Sequence, residues 1–280
     1  MEKFSNICSV IITYNPTDKL FSLINSIKNQ VDEIIIIDNN SKNNLFHNQL
    51  INDNKFHLFK NKENLGVAKA LNQGFEIAIE KGYKWVLMFD QDSNPFSDII
   101  YNFILSYNDY PFKNKIGMIG LNAYDQNNNV YVNIISSNNY KKRDYLITSG
   151  CLISTKVYNS IGKFNESYFI DNVDIEYSLR VRKAKFILLI TKKPGMIHKA
   201  GDTLTKKIFG FEFESSNHNS LRRYYMTRNH FCLSKKYFYT FPFFIMKLNI
   251  FFFLSIISML IIEKDRKNKL KSILKGLFKF

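Results

Sequence analysis

The sequence predicts an α/β protein: a mostly parallel sheet with helices on both faces, then a C-terminal helical, membrane-facing extension. Three observations carry this. Short continuous apolar strands alternate with segments of helical spacing over the first ninety residues. Polar clusters sit at the ends of three of those strands. After about residue 205 the character shifts to basic, aromatic and strongly apolar helix patterns.

The elements follow in order. Residues 7–13 (ICSVIIT) form a β-branched apolar run, and Leu20, Leu23, Ile24 and Ile27 follow at helical spacing. Residues 33–37 (EIIII) read as a second buried strand ending at Asp38, and 56–59 as a weaker third. A helix runs over 67–79 through Leu71, Phe75, Ala78 and Ile79, and a fourth strand, 85–89 (WVLMF), ends at Asp90. Sheets of this kind bind ligands beyond the carboxyl ends of their strands. Tyr14-Asn15, Asp38-Asn39 and Asp90-Gln91-Asp92 all fall there.

Farther on, 116–121, 130–135, 146–154 and 186–190 read as strands, and 174–183 as a helix. Residues 220–239 are a basic, aromatic helix candidate. Residues 241–262 are strongly apolar, with Pro242 suited to a first turn. Leu270, Ile273, Leu274, Leu277 and Phe278 then form an amphipathic stripe opposite lysines. The organisation is one domain over 1–205, with halves dividing at about 95, followed by a helical region over 206–280.

Composition narrows the partners. The 280 residues carry a formal net charge of +15 and a pI near 9.5, which suits an anionic membrane surface, phosphorylated substrates or nucleic acid. Residues 263–280 hold seven basic and two acidic side chains, a net +5. No recognised nucleic-acid motif accompanies the charge, which concentrates beside apolar helices. Three scattered cysteines, Cys8, Cys151 and Cys232, match no metal knuckle or redox pair and read as thiols of a reducing compartment. The N-terminus lacks the pattern of a secretory signal.

The candidate site residues each carry two readings. Asp90 and Asp92, on a turn after a buried strand, can share a divalent ion with diphosphate oxygens; elsewhere such a pair is an exposed acidic turn. Asp38 can accept a pyrimidine imide N–H, or cap the turn formed with Asn39, Asn40 and Ser41. Asn64 and Gly66 open a helix rich in small residues, which suits either an anion at its N-terminus or close packing on the sheet. Asp171, Asp174 and Glu176 lie on a short acidic stretch, and Asp174 or Glu176 can take a hydroxyl proton; on spacing alone, helix-start acids with Glu176 pairing to Arg180 are favoured. His198 is a structural donor or a ligand. Arg222, Arg223 and Arg228 with Tyr224 and Tyr225 make a phosphate-matching face, or a solvated one over tyrosines.

Taken together, SVIITYNP, IIIIDNNS, ENLGVAKALNQG, FDQDS, SGCLIS, FIDNVDIEYSLR, IHKAGD and RRYYMTRN resemble the family 2 glycosyltransferases of GT-A (Rossmann-like) fold, and within them the bacterial rhamnosyltransferases. The resemblance spans roughly residues 7–230. It implies that Thr13, Tyr14, Asn15 and Asp38 line the nucleotide, with Asn64 and Gly66 close by. It implies that Asp90 and Asp92 hold Mg²⁺ or Mn²⁺, completed by His198. Asp174 becomes the general base, Glu176 orients the acceptor, and Arg223 and Arg228 contact the donor diphosphate or a lipid pyrophosphate. Val173 stands where many members carry an acid, so Asp171 also competes for the base role. The implied reaction is inverting transfer, most simply of L-rhamnose from dTDP-L-rhamnose, onto a saccharide or polyprenyl-linked saccharide at the cytoplasmic side of the bacterial inner membrane. Galactofuranosyl, glucosyl and other hexosyl transfer use the same machinery, and a non-catalytic sugar-nucleotide-binding subunit or a nucleic-acid-binding protein are the readings of other classes. Residues 241–262 span about 33 Å as a helix. Lys247 and Asn249 interrupt them, leaving thirteen clean residues, which fits interfacial attachment better than a crossing.

Overall fold

The computed structural model describes the chain except residues 1–3, 44–53, 126–129, 132, 134–136, 199–203, 209–210 and 280, together with the side chains of 125, 131, 198, 208, 211 and 212. It divides into two compact units. The first holds residues 1–169 and 173–199, the second 170–172 and 200–280.

The first unit is built on one sheet. Strands β1 (Ile7–Thr13), β2 (Glu33–Asp38), β3 (Phe56–Lys60) and β4 (Trp85–Asp90) are mutually parallel in the order β3-β2-β1-β4. Every residue of β1 and β2 is buried, which is why they lack polar alternation. Helices α1 (Lys19–Ile27) and α2 (Val67–Glu80) bury Leu20, Leu23, Ile24 and Ile27, and Leu71, Phe75 and Ala78. Gly74 lets α2 lie against β1: a Cβ there would sit 2.3 Å from Val10 Cγ1.

Beyond β4 the sheet becomes mixed. The short β5 (Asn94–Pro95) leads to helix α3 (Ile99–Asp109), then β6 (Ile116–Asp125), β7 (Val130–Tyr131), β8 (Tyr140–Arg143) and β9 (Cys151–Ser154). Helices α4 (Thr155–Ile161) and α5 (Val173–Lys183) precede β10 (Ile187–His198). The order continues β4-β9-β6-β10-β5; β9 is antiparallel to both neighbours and β10 is parallel to β6.

Three expectations change here. The strand expected over 146–154 contracts to Cys151–Ser154, because Gly150 at φ 72° breaks extension and Leu146 folds over Gly120. The strand expected over 186–190 runs on to His198, with register shifts at Pro194 where the ladder accommodates a residue without an N–H. Of the strand expected over 130–135, Val130–Tyr131 forms, and 134–135 lie outside the described residues.

The second unit contains the hairpin β11 (Leu204–Ile208) and β12 (Phe211–Ser215), then α6 (Ser220–Tyr237), α7 (Pro242–Ile262) and α8 (Arg266–Leu277). Asn219 caps α6 by accepting from Arg222 N, and Pro242 occupies the first turn of α7. Gly276 lets α8 cross α6 closely; a Cβ would meet Tyr224 O at 2.6 Å.

Candidate active site

The C-terminal ends of β1, β2 and β4 lie side by side, since Thr13 pairs with Asp38 and Ile12 with Asp90. Thr13 and Asp38 are buried, while Tyr14, Asn15, Asp90 and Asp92 are exposed at this edge. The Asp38 carboxylate accepts from Thr13 Oγ1 (3.2 Å), from Ser41 N (3.2 Å) and from the Ser41 hydroxyl. It therefore makes the Asx-type turn, and through it holds the strand ends in place. Ser41 Oγ in turn accepts from Asn15 N at 2.7 Å, and Asn15 Oδ1 accepts from Lys42 N at 2.9 Å. Asn15 and Asn40 sit at φ 48° and 65°, a region asparagine tolerates better than most residues.

The acidic turn is clamped to β1 by the residue between its two aspartates. Tyr14 N donates to Gln91 Oε1 (2.8 Å), and Gln91 Nε2 donates back to Tyr14 O (3.2 Å). This leaves Asp90 and Asp92 on the solvent side of a fixed loop. Ser93 Oγ lies 2.5 Å from Ser149 Oγ, which also accepts from Asp90 N at 3.4 Å. Two residues after Asp92, Asn94 pairs with Ile197, so the backbone of His198 arrives beside the turn. The imidazole itself lies outside the described residues.

On the far side of β2, Asn39 ties the helix start into the same edge. Its Nδ2 donates to Gly66 O at 3.2 Å, and Asn64 Oδ1 accepts from Gly66 N at 3.0 Å. Gly66 is at φ 84°, and a Cβ there would stand 2.6 Å from Phe169 O. Val67 N donates to that same carbonyl at 2.7 Å. Only glycine satisfies the conformation and the approach together.

Asp174 opens α5, with Ile175 N bonded to its Oδ1 at 2.9 Å. Burial first, and then the Asp174 charge, push the Cys151 thiol up. Cys151 itself opens β9, which pairs with the end of β4. Glu176 faces inward at 1% exposure and accepts from Arg180 Nε at 2.9 Å. The pairing favoured by spacing is thus the one that forms. Asp171 belongs to the second unit, at φ 64°, and grips Arg222 with both oxygens (3.0 Å each).

The two arginines expected on phosphates are placed differently. Arg223 is 3% exposed and bonds Glu263 and Ser215. Its guanidinium is thus already neutralised by a buried carboxylate. Arg228 stacks over Tyr225, 5.9 Å from the ring centroid.

A cavity of about 280 Å³ opens on the first unit at the same edge. Leu121, Leu146, Ile147 and Ile190 give it apolar walls, and Arg143, Tyr145 and Ser149 its polar points. Ser149 is shared with the acidic turn.

Compared with known proteins, residues 8–164 match the family model described as glycosyl transferase family 2. The chain belongs to this family. A curated relative, the dTDP-rhamnosyl transferase RfbF of Shigella flexneri, is 32% identical over 247 residues, covering 83% of this chain and 81% of the relative. Among solved structures, GalNAc-T7 with UDP, GalNAc and Mn²⁺ superposes at TM-score 0.59 and 12% identity, over 82% of this chain and 47% of that one. S. aureus TarS 1–349 matches at TM-score 0.52 and 13% identity, over 99% and 72%. These two show the fold, which is GT-A. The chain is a glycosyltransferase.

The donor set of this glycosyltransferase suits a hard divalent cation. Asp90 and Asp92 are exposed carboxylates on one clamped turn, and Mg²⁺ typically takes one or two carboxylates plus substrate phosphates. Among the described residues no three His, Cys, Asp or Glu side chains converge. Sequence reasoning missed Gln91, Ser93 and Ser149, which fix the turn. The signal for Gln91 was present in FDQDS, but its partner lies 77 residues away. The cavity had no signal, because its walls come from separate strands and a loop.

Proposed function

We propose that this family 2 enzyme transfers L-rhamnose from dTDP-L-rhamnose, with inversion, to a saccharide or polyprenyl-linked saccharide in bacterial surface polysaccharide synthesis. The observation that carries it is the shared strand edge, with Thr13, Tyr14, Asn15 and Asp38 on one side and Asp90 and Asp92 beside them. The 32% identity to a dTDP-rhamnosyl transferase supports the choice of donor.

In this reading Thr13, Tyr14 and Asn15 seat the nucleoside, and Asp38 sets their geometry. Asn64 and Gly66 bring the start of α2 close to the donor. Arg228 remains a candidate phosphate contact. Asp90 and Asp92 hold the Mg²⁺ or Mn²⁺, with His198 the candidate third ligand; when bound, the ion neutralises the departing diphosphate. The acceptor enters from the cavity that Ser149 lines, beside the acidic turn at the end of β4. Asp174 takes the proton from an acceptor hydroxyl. That oxygen forms its bond to the donor C1 while the C1–oxygen bond to the diphosphate breaks on the opposite face. Asp171 and Glu176, which hold Arg222 and Arg180, are the alternatives for the base. The apolar α7 and the basic tail support attachment to the cytoplasmic face of the inner membrane, where a lipid-linked acceptor resides.

The test is nucleotide release from dTDP-L-rhamnose, UDP-galactofuranose, UDP-glucose and UDP-GlcNAc, with Mg²⁺ or Mn²⁺ and then EDTA. Metal-dependent release from dTDP-L-rhamnose, lost in Asp92→Ala, is expected. Release from another donor alone overturns the rhamnosyl reading.

A further inference from the structure

Helix α7 has a mean hydropathy of 2.3 over its apolar stretch, yet only 11% of that stretch is buried. Its exposed side chains include Phe243, Met246, Ile250, Phe253, Ile257 and Leu260. These recur at i, i+3, i+7, i+10, i+14 and i+17, one stripe along a helix about 32 Å long. Isolated exposed apolar residues need no explanation; a continuous stripe of this length does.

The other side of α7 is gripped by α6. Ser234 Oγ donates to Asn249 Oδ1 at 2.9 Å, and His230 Nε2 lies 2.7 Å from the same oxygen. The His230 ring stacks on Phe252 with centroids 4.2 Å apart. Residues 238–241 alone join the two helices, so α6 runs back beside the first half of α7, bringing Lys235 and Lys236 with it. The far end is tied as well. Glu263, directly after α7, bonds Arg223 of α6 and Lys269 of α8. Helix α8 adds a second exposed stripe, Leu270, Leu274 and Phe278, flanked by exposed Lys267, Lys271 and Lys275.

We propose that α7 lies in the interfacial layer of an anionic bilayer and does not cross it, so that both its ends stay on one side. This rests on the membrane attachment read above and assigns its mode. A crossing helix would draw the lysines of α6 into hydrocarbon and strip Asn249 of its partners, both costly. A helix lying flat keeps the grip of α6 and puts only the apolar stripe into the acyl region. Lys247, within that face, reaches the headgroups by its long stem. The lysines beside the α8 stripe select lipid as the occupant, since they complement anionic headgroups.

The test uses the full chain in bacterial cells, fused at its C-terminus either to a fluorescent protein or to alkaline phosphatase. Recovery in the membrane fraction, with fluorescence and no phosphatase activity, is expected. Active phosphatase outside the inner membrane overturns the proposal, and so does a fully soluble chain, which would assign the stripe to a protein partner. The purified chain should sediment with vesicles of phosphatidylcholine and phosphatidylglycerol. Replacing Lys267, Lys271 and Lys275 by Glu should weaken that binding roughly tenfold or more. Nucleotide release from dTDP-L-rhamnose is measured on the same protein. Release without vesicle binding sinks this inference alone; vesicle binding without release sinks the donor assignment alone.

Discussion

At the scale of single residues, the strand edge depends on side chains that hold other groups in position. Gln91 never needs to touch substrate to matter, because it fixes the height of both aspartates against Tyr14. Gln91→Ala should raise the donor KM several-fold with little loss of stability, since the turn is at the surface. Two glycines allow conformation and crowding to be separated. Gly66 and Gly82 both have positive φ, at 84° and 79°, but a Cβ at Gly82 meets nothing within 4 Å. Gly82→Ala should cost about 1 kcal/mol for the left-handed backbone alone. Gly66→Ala should cost clearly more, because Phe169 O must also move, and it should lower donor affinity by shifting the start of α2. Urea denaturation of the pair measures the difference. The thiols offer a third check. Cys8 and Cys151 are buried, and burial pushes both well up, whereas Cys232 is partly accessible. A thiol reagent at pH 8 should therefore modify Cys232 first and reach the other two on unfolding.

At the scale of elements, the second unit is closed by a buried charge cluster. Glu263, fully buried, joins Arg223 on α6 to Lys269 on α8 and to Ser215 at the end of β12. Removing the shared anion leaves two buried cations facing each other. Glu263→Gln should then cost about 3–5 kcal/mol, while Glu263→Gln with Arg223→Met and Lys269→Met should recover most of it. Burial alone would raise this carboxyl, but Lys269, Ser215 and Arg223 outweigh it and hold it below its ordinary 4.5. A carboxyl depressed in the folded chain adds stability above its unfolded value and loses it as pH falls through the folded one. Thermal melts below pH 4.5 should accordingly fall faster for the native chain than for the Glu263→Gln variant. His230 works in the same direction at higher pH. Burial lowers it more than Asn249 raises it, so acidification below its ordinary 6.5 must charge a packed ring and loosen α6 from α7.

At the scale of the whole molecule, the +15 charge suits the two anionic partners of the proposed reading, a diphosphate and a lipid surface. Saturating dTDP-L-rhamnose with Mg²⁺ should raise the melting temperature, by the equivalent of about 2.7 kcal/mol at a hundredfold excess over Kd. UDP-GlcNAc at equal concentration should not.

The sequence by itself determined the parallel half of the sheet and the strand-end positions of Tyr14, Asp38, Asp90 and Asp92. Buried strands of Ile and Val are continuous, and their polar ends are local facts that periodicity can read. It also marked α6, α7 and α8 within a few residues, because their patterns run for many turns. The tertiary structure alone decided how the strands after β4 pair, since antiparallel β9 and the long β10 depend on partners far along the chain. It alone gave the partners of Asp38, Glu176 and Arg223. Each of these is a charged group whose meaning depends on what lies within 3 Å, and those neighbours, Thr13 and Ser41, Arg180, and Glu263, are settled by packing rather than by spacing.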